Sequence, residues 1–178
     1  MGVNAGQRLV VMGATGRVGG YAVQMARSRG AHVIATVRDD AGEARLLGAE
    51  EVYDTKALDV IGALRVSHPD GVDAILDLVN GPDAIRRDTE ILKSGGSLVS
   101  TIYAADEGWF AERKITTHNI AWISNPLSSP QGLKEVARML ADGTITARIR
   151  STVELEAAGQ MLDKLRHGAV RGKGVIRL

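Results

Sequence analysis

Arg8 to Gly30 reads RLVVMGATGRVGGYAVQMARSRG, and this stretch decides the fold. Arg8 to Met12 is a short apolar, β-branched run of the kind that forms a buried strand. It passes directly into Gly13-Ala14-Thr15-Gly16-Arg17-Val18-Gly19. A helix is expected to begin inside that turn and run from Val18 to Arg29, with Val18, Ala22, Met25 and Ala26 on one face. Gly30 stands where a helix end needs a left-handed residue. A strand, a glycine turn and a helix in that order suit a pyrophosphate, because unpaired N–H groups gather at the helix N-terminus. A side chain at Gly16 would block the approach, and Gly19 lets the helix lie close to the sheet. The strict G-x-G-x-x-G form would place Gly at position 14, where this chain has Ala14 with Gly13 just ahead. A Walker A loop is excluded, since Gly20-Tyr21 follows Gly19 in place of Lys-Ser/Thr. The bland alternative is a purely structural turn. Its place in the first strand–helix unit of an alternating chain favours dinucleotide binding.

Outward from that turn, short β-branched runs alternate with amphipathic segments. Strands are expected at His32 to Val37, Glu51 to Tyr53, Asp73 to Leu78, Ser97 to Thr101, Asn119 to Ile123 and Gly174 to Leu178. Helices are expected at Glu43 to Leu47, Leu58 to Ser67, Pro82 to Leu92, Gln131 to Ala141 and Leu155 to His167. Ile102 to Thr117 shows no convincing period and reads as a loop or lid edge. There is no repeat and no linker. The pattern specifies α/β architecture: one domain, residues 1–178, as a Rossmann-type doubly wound parallel sheet with helices on both faces.

The end of the second strand bears on which dinucleotide is held. An NAD-type site carries an acid there, about 20 residues after the glycine turn, to bind the ribose hydroxyls. Here the stretch is Ala35-Thr36-Val37-Arg38, with no acid before Asp39. A guanidinium at Arg38 suits the 2′-phosphate of NADPH through paired charge-assisted bonds, and can stack on adenine. The opposing reading is a solvated Arg38 neutralised by Asp39 and Asp40.

Composition narrows the classes. The 178 residues are 44% hydrophobic, 24% charged and 3% aromatic, with a net charge of +1. Such a balance gives no reason to expect nucleic acid or a membrane surface as a partner. No stretch nears the ~18 to 20 apolar residues of a membrane span, and the N-terminus lacks a secretory pattern, so a cytoplasmic protein is expected. The absence of cysteine excludes disulfides, a Cys nucleophile and Cys-ligated zinc. His32, His68, His118 and His167 have no metal-ligand spacing. Asp73 and Asp77 share a strand face, where such residues more often cap a turn or helix. Trp109 and Phe110 read as a hydrophobic lid, a subunit contact or plain packing.

With these residues in hand, the chain resembles the nucleotide-binding domain of medium-chain dehydrogenases/reductases, in the zinc-independent quinone oxidoreductase and enoyl reductase branch. The likeness takes in Asn4-Ala5-Gly6-Gln7, GATGRVG, LGAEEV from Leu47, GVDAILD from Gly71, LKSGGSLV from Leu92 and GAVRGK from Gly168. The resemblance implies NADPH binding for hydride transfer to a quinone or activated double bond, without zinc. It implies that Gly16, Arg17 and Val18 cradle the pyrophosphate, that Arg38 meets the 2′-phosphate, and that Asn80 and Ile123 to Asn125 approach the nicotinamide ribose. Arg171 occupies a position from which some relatives reach the pyrophosphate; the competing reading is a solvated basic run with Arg166, His167, Lys173 and Arg177. Gly42 and Thr55 stand where relatives often carry Lys and Tyr, which leaves discrimination to Arg38. The candidate cofactor residues are thus Gly13, Ala14, Thr15, Gly16, Arg17, Val18, Gly19, Arg38, Asn80, Asn125 and Arg171. No catalytic residue is assigned.

Family members place about half their length ahead of this domain as a β-rich substrate domain, so the resemblance implies an excised domain or a protein whose partner supplies the rest. The small-molecule substrate would then be met only in the complete enzyme. A homodimer through the sixth strand is also implied. The rival is an atypical short-chain reductase, including NADP-sensing members without catalysis. Its catalytic form needs Tyr with Lys four residues on, but Tyr21, Tyr53 and Tyr103 are followed there by Met25, Ala57 and Glu107. The sensor form survives that test.

Overall fold

A computed structural model describes residues 2–120, 129–167 and 173–178. Six strands form one wholly parallel sheet: β1 (Arg8–Met12), β2 (His32–Val37), β3 (Glu51–Asp54), β4 (Val72–Asp77), β5 (Leu92–Ser100) and β6 (Thr116–Asn119). Their order is β3-β2-β1-β4-β5-β6. The chain builds outward from β1 to β3, then crosses back to lay β4 on the other side of β1. That reversal opens a crevice at the carboxyl ends of β1 and β4, where ligands bind in open α/β sheets.

The alternation of side chains along each strand feeds two cores. Val10, Met12, Ile34, Ile75 and Leu98 point to one face, where α3 (Val60–Ser67) contributes Ile61 and Leu64. Ile85 of α4 (Pro82–Asp88) and Phe110 of α5 (Glu107–Ala111) complete that layer. Leu9, Val11, Val33, Ala35 and Val37 point to the other face, against Val23 and Ala26 of α1 (Gly19–Ser28) and Ala44 of α2 (Ala41–Leu46). Both faces are therefore covered, as an all-parallel sheet requires. Truncating a fully buried member such as Leu64 should cost about 2 to 5 kcal/mol.

Several expectations need correction. Val18 is the N-cap of α1 and 56% exposed; the buried face is Gly19, Gly20, Val23 and Ala26, because the close approach to β1 is made by glycines. Ile102 to Thr117 is not all loop. It contains α5, started by the Asp106 side chain accepting from Trp109 N, and the first residues of β6. The sixth strand lies earlier than Asn119 to Ile123, and residues 121–123 fall outside the described segments. The last strand, β8 (Lys173–Arg177), does not extend the main sheet. It pairs with an unexpected strand, β7 (Ile149–Glu154), in a separate two-stranded sheet. Two further helices, α6 (Pro130–Ala141) and α7 (Ala158–Arg166), lie where expected.

Candidate dinucleotide site

The turn between β1 and α1 has few internal bonds. Gly13 has φ +83°, and an added Cβ would stand 2.7 Å from Val79 Cγ1. Ala14 is wholly buried, and its N–H donates to the Thr36 carbonyl at 3.0 Å, pinning the turn to the end of β2. Gly16 N–H closes on the Gly13 carbonyl at 3.0 Å. The amides of Thr15, Val18 and Gly19 take no protein partner among the described residues. Helix α1 has no side-chain cap and no acid in its first turn. Its N-terminus therefore presents donors and a positive dipole end to whatever anion reaches it. At Gly19 a Cβ would fall 2.2 Å from the Gly13 carbonyl, so only glycine allows this helix to start here.

Beside the turn lies a cleft of about 640 Å³ at the carboxyl ends of β1, β2 and β4. Gly13, Arg38 and Asn80 line it together, with Thr36, Thr55, Arg87 and Asp88. Arg38 is exposed, and no carboxylate pairs with it among the described residues. The acids that could have neutralised it are engaged elsewhere: Asp39 with Lys56 at 2.9 Å, and Asp40 with Arg150 at 2.8 Å. Asp40 is itself left-handed, with φ 65°, and caps α2 through Glu43 N. Arg148 and Arg150 both pair with the buried Glu43, which ties the β7 region to α2.

Asp77, fully buried at the end of β4, accepts from the N–H groups of Val79 at 2.9 Å and Asn80 at 2.8 Å. This is the turn-capping role expected of a strand-end Asp, and it folds Asn80 into the cleft. Asn80 Nδ2 donates to Asp77 Oδ2 at 2.9 Å and to Asp88 Oδ2 at 2.7 Å. Burial, then the adjacent Asp77 charge, pushes the Asp88 carboxyl up to about 6, against the pull of Arg87 and the Asn80 bond.

Sequence reading missed two of these groups. Asp88 looked like one more polar helix residue, and nothing in its spacing from Asn80 announces the contact. Lys173 was one member of a basic run; its Nζ donates to the Arg17 carbonyl at 3.0 Å and lies 3.6 Å from the centre of the Tyr21 ring. Asn125 and Arg171 lie outside the described residues. Trp109 packs rather than lines a site: Arg113 lies 3.7 Å over its ring, and Phe110 is core. Among the described residues no three His, Asp or Glu side chains converge as a metal site, and no helix is long and apolar enough to cross a membrane.

Residues 47–176 match a family model described as "Zinc-binding dehydrogenase". A curated relative, an NAD-dependent alcohol dehydrogenase of Saccharolobus solfataricus, is 29% identical over 173 residues, 94% of this chain and 50% of that protein. The quinone oxidoreductase of Coxiella burnetii superposes with a TM-score of 0.82 at 24% identity, over 99% of this chain and 54% of the other. That of Escherichia coli, solved in complex with NADPH, gives 0.81 at 21% identity over 98% and 58%. The chain spans about half the length of that dehydrogenase and of a mitochondrial NAD(P)H oxidoreductase of Bos taurus, and 9% of a polyketide synthase of Mycolicibacterium smegmatis that it also matches.

Proposed function

The chain belongs to the zinc-binding dehydrogenase family as a nucleotide-binding domain of the medium-chain type, and from that premise we propose that it holds NADPH for hydride transfer to a quinone or an activated C=C bond in the complete enzyme. The observation that carries this reading is the cleft at the β1/β4 crevice, which Gly13 of the glycine turn, Arg38 and Asn80 line together, while Thr15, Gly16 and Arg17 face a small pocket with Lys173. A turn with glycine at 13, 16 and 19, in which the amides of Thr15, Val18 and Gly19 take no partner among the described residues, fits a pyrophosphate. Lys173 adds an ammonium there, with donors to spare after Arg17.

Arg38 supports NADPH over NADH, since its charge has no carboxylate partner among the described residues and stands at the tip of β2. The bound dinucleotide supplies the hydride; the chain's residues bind and orient it and keep water away from it. We assign no zinc to this chain, on a donor set without cysteine. The substrate pocket and the substrate belong to the complete protein. The homodimer through β6, an edge of the main sheet, remains part of this proposal, and sedimentation as a monomer at high concentration would remove it.

Calorimetric titration of the chain with each dinucleotide tests the reading. NADPH is expected to bind, and more tightly than NADH. Equal or tighter NADH binding overturns the role of Arg38; no binding of either overturns the site.

A further inference from the structure

We propose that Asp88 is a positioning residue: its carboxylate locks the Asn80 amide in one orientation in the dinucleotide cleft, so that a proton on Asp88 regulates cofactor affinity. This rests on reading the cleft as the cofactor site. An Asn side chain has two N–H donors and one acceptor oxygen. Both donors of Asn80 are used, one on Asp77 Oδ2 at 2.9 Å and one on Asp88 Oδ2 at 2.7 Å. The reverse orientation would set a carbonyl oxygen against two carboxylates. Asn80 can then offer a ligand only its Oδ1, an acceptor suited to a ribose hydroxyl.

Asp77 is also tied to the backbone: its carboxylate accepts the N–H groups of Val79 and Asn80. Asp88 accepts no backbone N–H among the described residues; the charged groups acting on it are Asp77 from the end of β4 and Arg87 from its own helix, while Asp59 and Arg38 stand on other walls of the cleft. When Asp88 gains a proton it becomes a weak acceptor and a new donor. The amide then keeps only its bond to Asp77, its orientation is no longer locked, and the acceptor it offers the ligand is no longer fixed. Asp88 is 3% exposed, so little of its own carboxyl is open to water. A carboxyl held up to about 6 makes the change near neutral pH.

The affinity of the chain for NADP⁺ is measured from pH 5 to 8 in the wild type and in Asp88→Asn. The 2′-phosphate itself titrates near pH 6, so the readout is the ratio of the two affinities, in which that titration cancels. Asparagine keeps an acceptor for Asn80 at every pH. The ratio should change about fivefold across the range, with wild-type affinity falling on the acid side. The side-chain ¹⁵N resonances of Asn80 in the free wild-type protein should titrate with the same midpoint and stay flat in Asp88→Asn. A flat ratio with an unmoving Asn80 overturns the proposal. If Asp88→Asn does not fold, the wild-type Asn80 titration and the affinity for NAD⁺, which lacks the 2′-phosphate, decide it. Failure of every dinucleotide to bind, with Asn80 still titrating, overturns the cofactor site and not the lock.

Discussion

Lys173, the first residue of β8, donates from its ammonium to the carbonyl oxygen of Arg17 at 3.0 Å, so the end of the chain closes over its first turn. The pairing of β8 with β7 positions this contact, and the Gln24–Thr146 bonds fix the approach of the β7 region to α1. The turn is thus braced from outside the main sheet.

Replacing Lys173 with Met should weaken NADPH and NADH alike, by about 1 kcal/mol, because the ammonium lies against the Arg17 carbonyl, in the turn proposed to hold the pyrophosphate that both share. The loss should shrink at high salt. Calorimetry at two ionic strengths checks it; a loss confined to NADPH would place Lys173 at the adenosine end instead.

Arg38→Ala should do the opposite and discriminate. NADPH affinity is expected to drop by about 1 to 3 kcal/mol while NADH affinity stays nearly unchanged, since only the former offers a phosphate to the guanidinium. An unchanged NADPH affinity would make Arg38 a spectator.

How much of this was legible in the sequence depends on what each element must satisfy. Strands β1, β2 and β4 are buried in the sheet, so their apolar runs announce them nearly to the residue. Strand β7 (IRSTVE) is mostly exposed and mixes charges with β-branched residues, so it carries no comparable signal. Strand β6 begins in polar Thr116-Thr117-His118 and was read too late in the chain for the same reason. The rotation of α1 was misread because close glycine packing, not the apolar stripe, decides which face touches β1. The glycine turn was legible because a helix packed this closely on β1 admits no side chain at Gly19, and the place of Arg38 follows from the end of the apolar run of β2. The Asp88–Asn80 bond was not, since it depends on how α4 leans back over the turn after β4.

The two glycines at the turn should separate binding from folding. At Gly16 a Cβ would meet only the Gly13 carbonyl, at 3.1 Å, so Gly16→Ala should fold with slight loss yet bind dinucleotide at least tenfold more weakly. At Gly19 the Cβ would press into the Gly13–Ala14 backbone, and Gly19→Ala should destabilise the fold by about 1 to 3 kcal/mol. Urea unfolding beside calorimetry distinguishes them; equal stability of the two variants would contradict the packing described.

At the opposite end of the sheet, Glu51 accepts from His32 at 2.6 Å, His68 at 3.0 Å and Tyr53 at 3.0 Å. Burial alone would raise its carboxyl, but these bonds prevail and hold it below 4.5. A depressed acid contributes stability that is present above its unfolded value and is lost as pH falls through the folded one. Glu51→Gln should therefore be less stable than wild type by about 1 to 3 kcal/mol at pH 6, with the gap narrowing below pH 4. Denaturant melts at the two pH values measure it, and a constant gap would show that Glu51 acts by shape alone.

Asp88 should show the reverse slope. Its carboxyl rises from 3.8 to about 6 because burial and the Asp77 charge disfavour ionisation. A raised acid contributes stability in full below its unfolded value of 3.8, and that stability drains away as pH climbs through about 6. The difference corresponds to about 3 kcal/mol between the two limits. Asp88→Asn carries no charge to bury, keeps an acceptor for Asn80, and escapes that loss. At pH 8 it should be more stable than wild type by about 1 to 3 kcal/mol, and at pH 4 the two should nearly coincide. Unfolding curves for both proteins at these pH values give the answer directly. A wild type that equals or exceeds Asp88→Asn at pH 8 would mean that Arg87 and Asn80 compensate the buried charge completely, and that no strain is stored beneath the cleft.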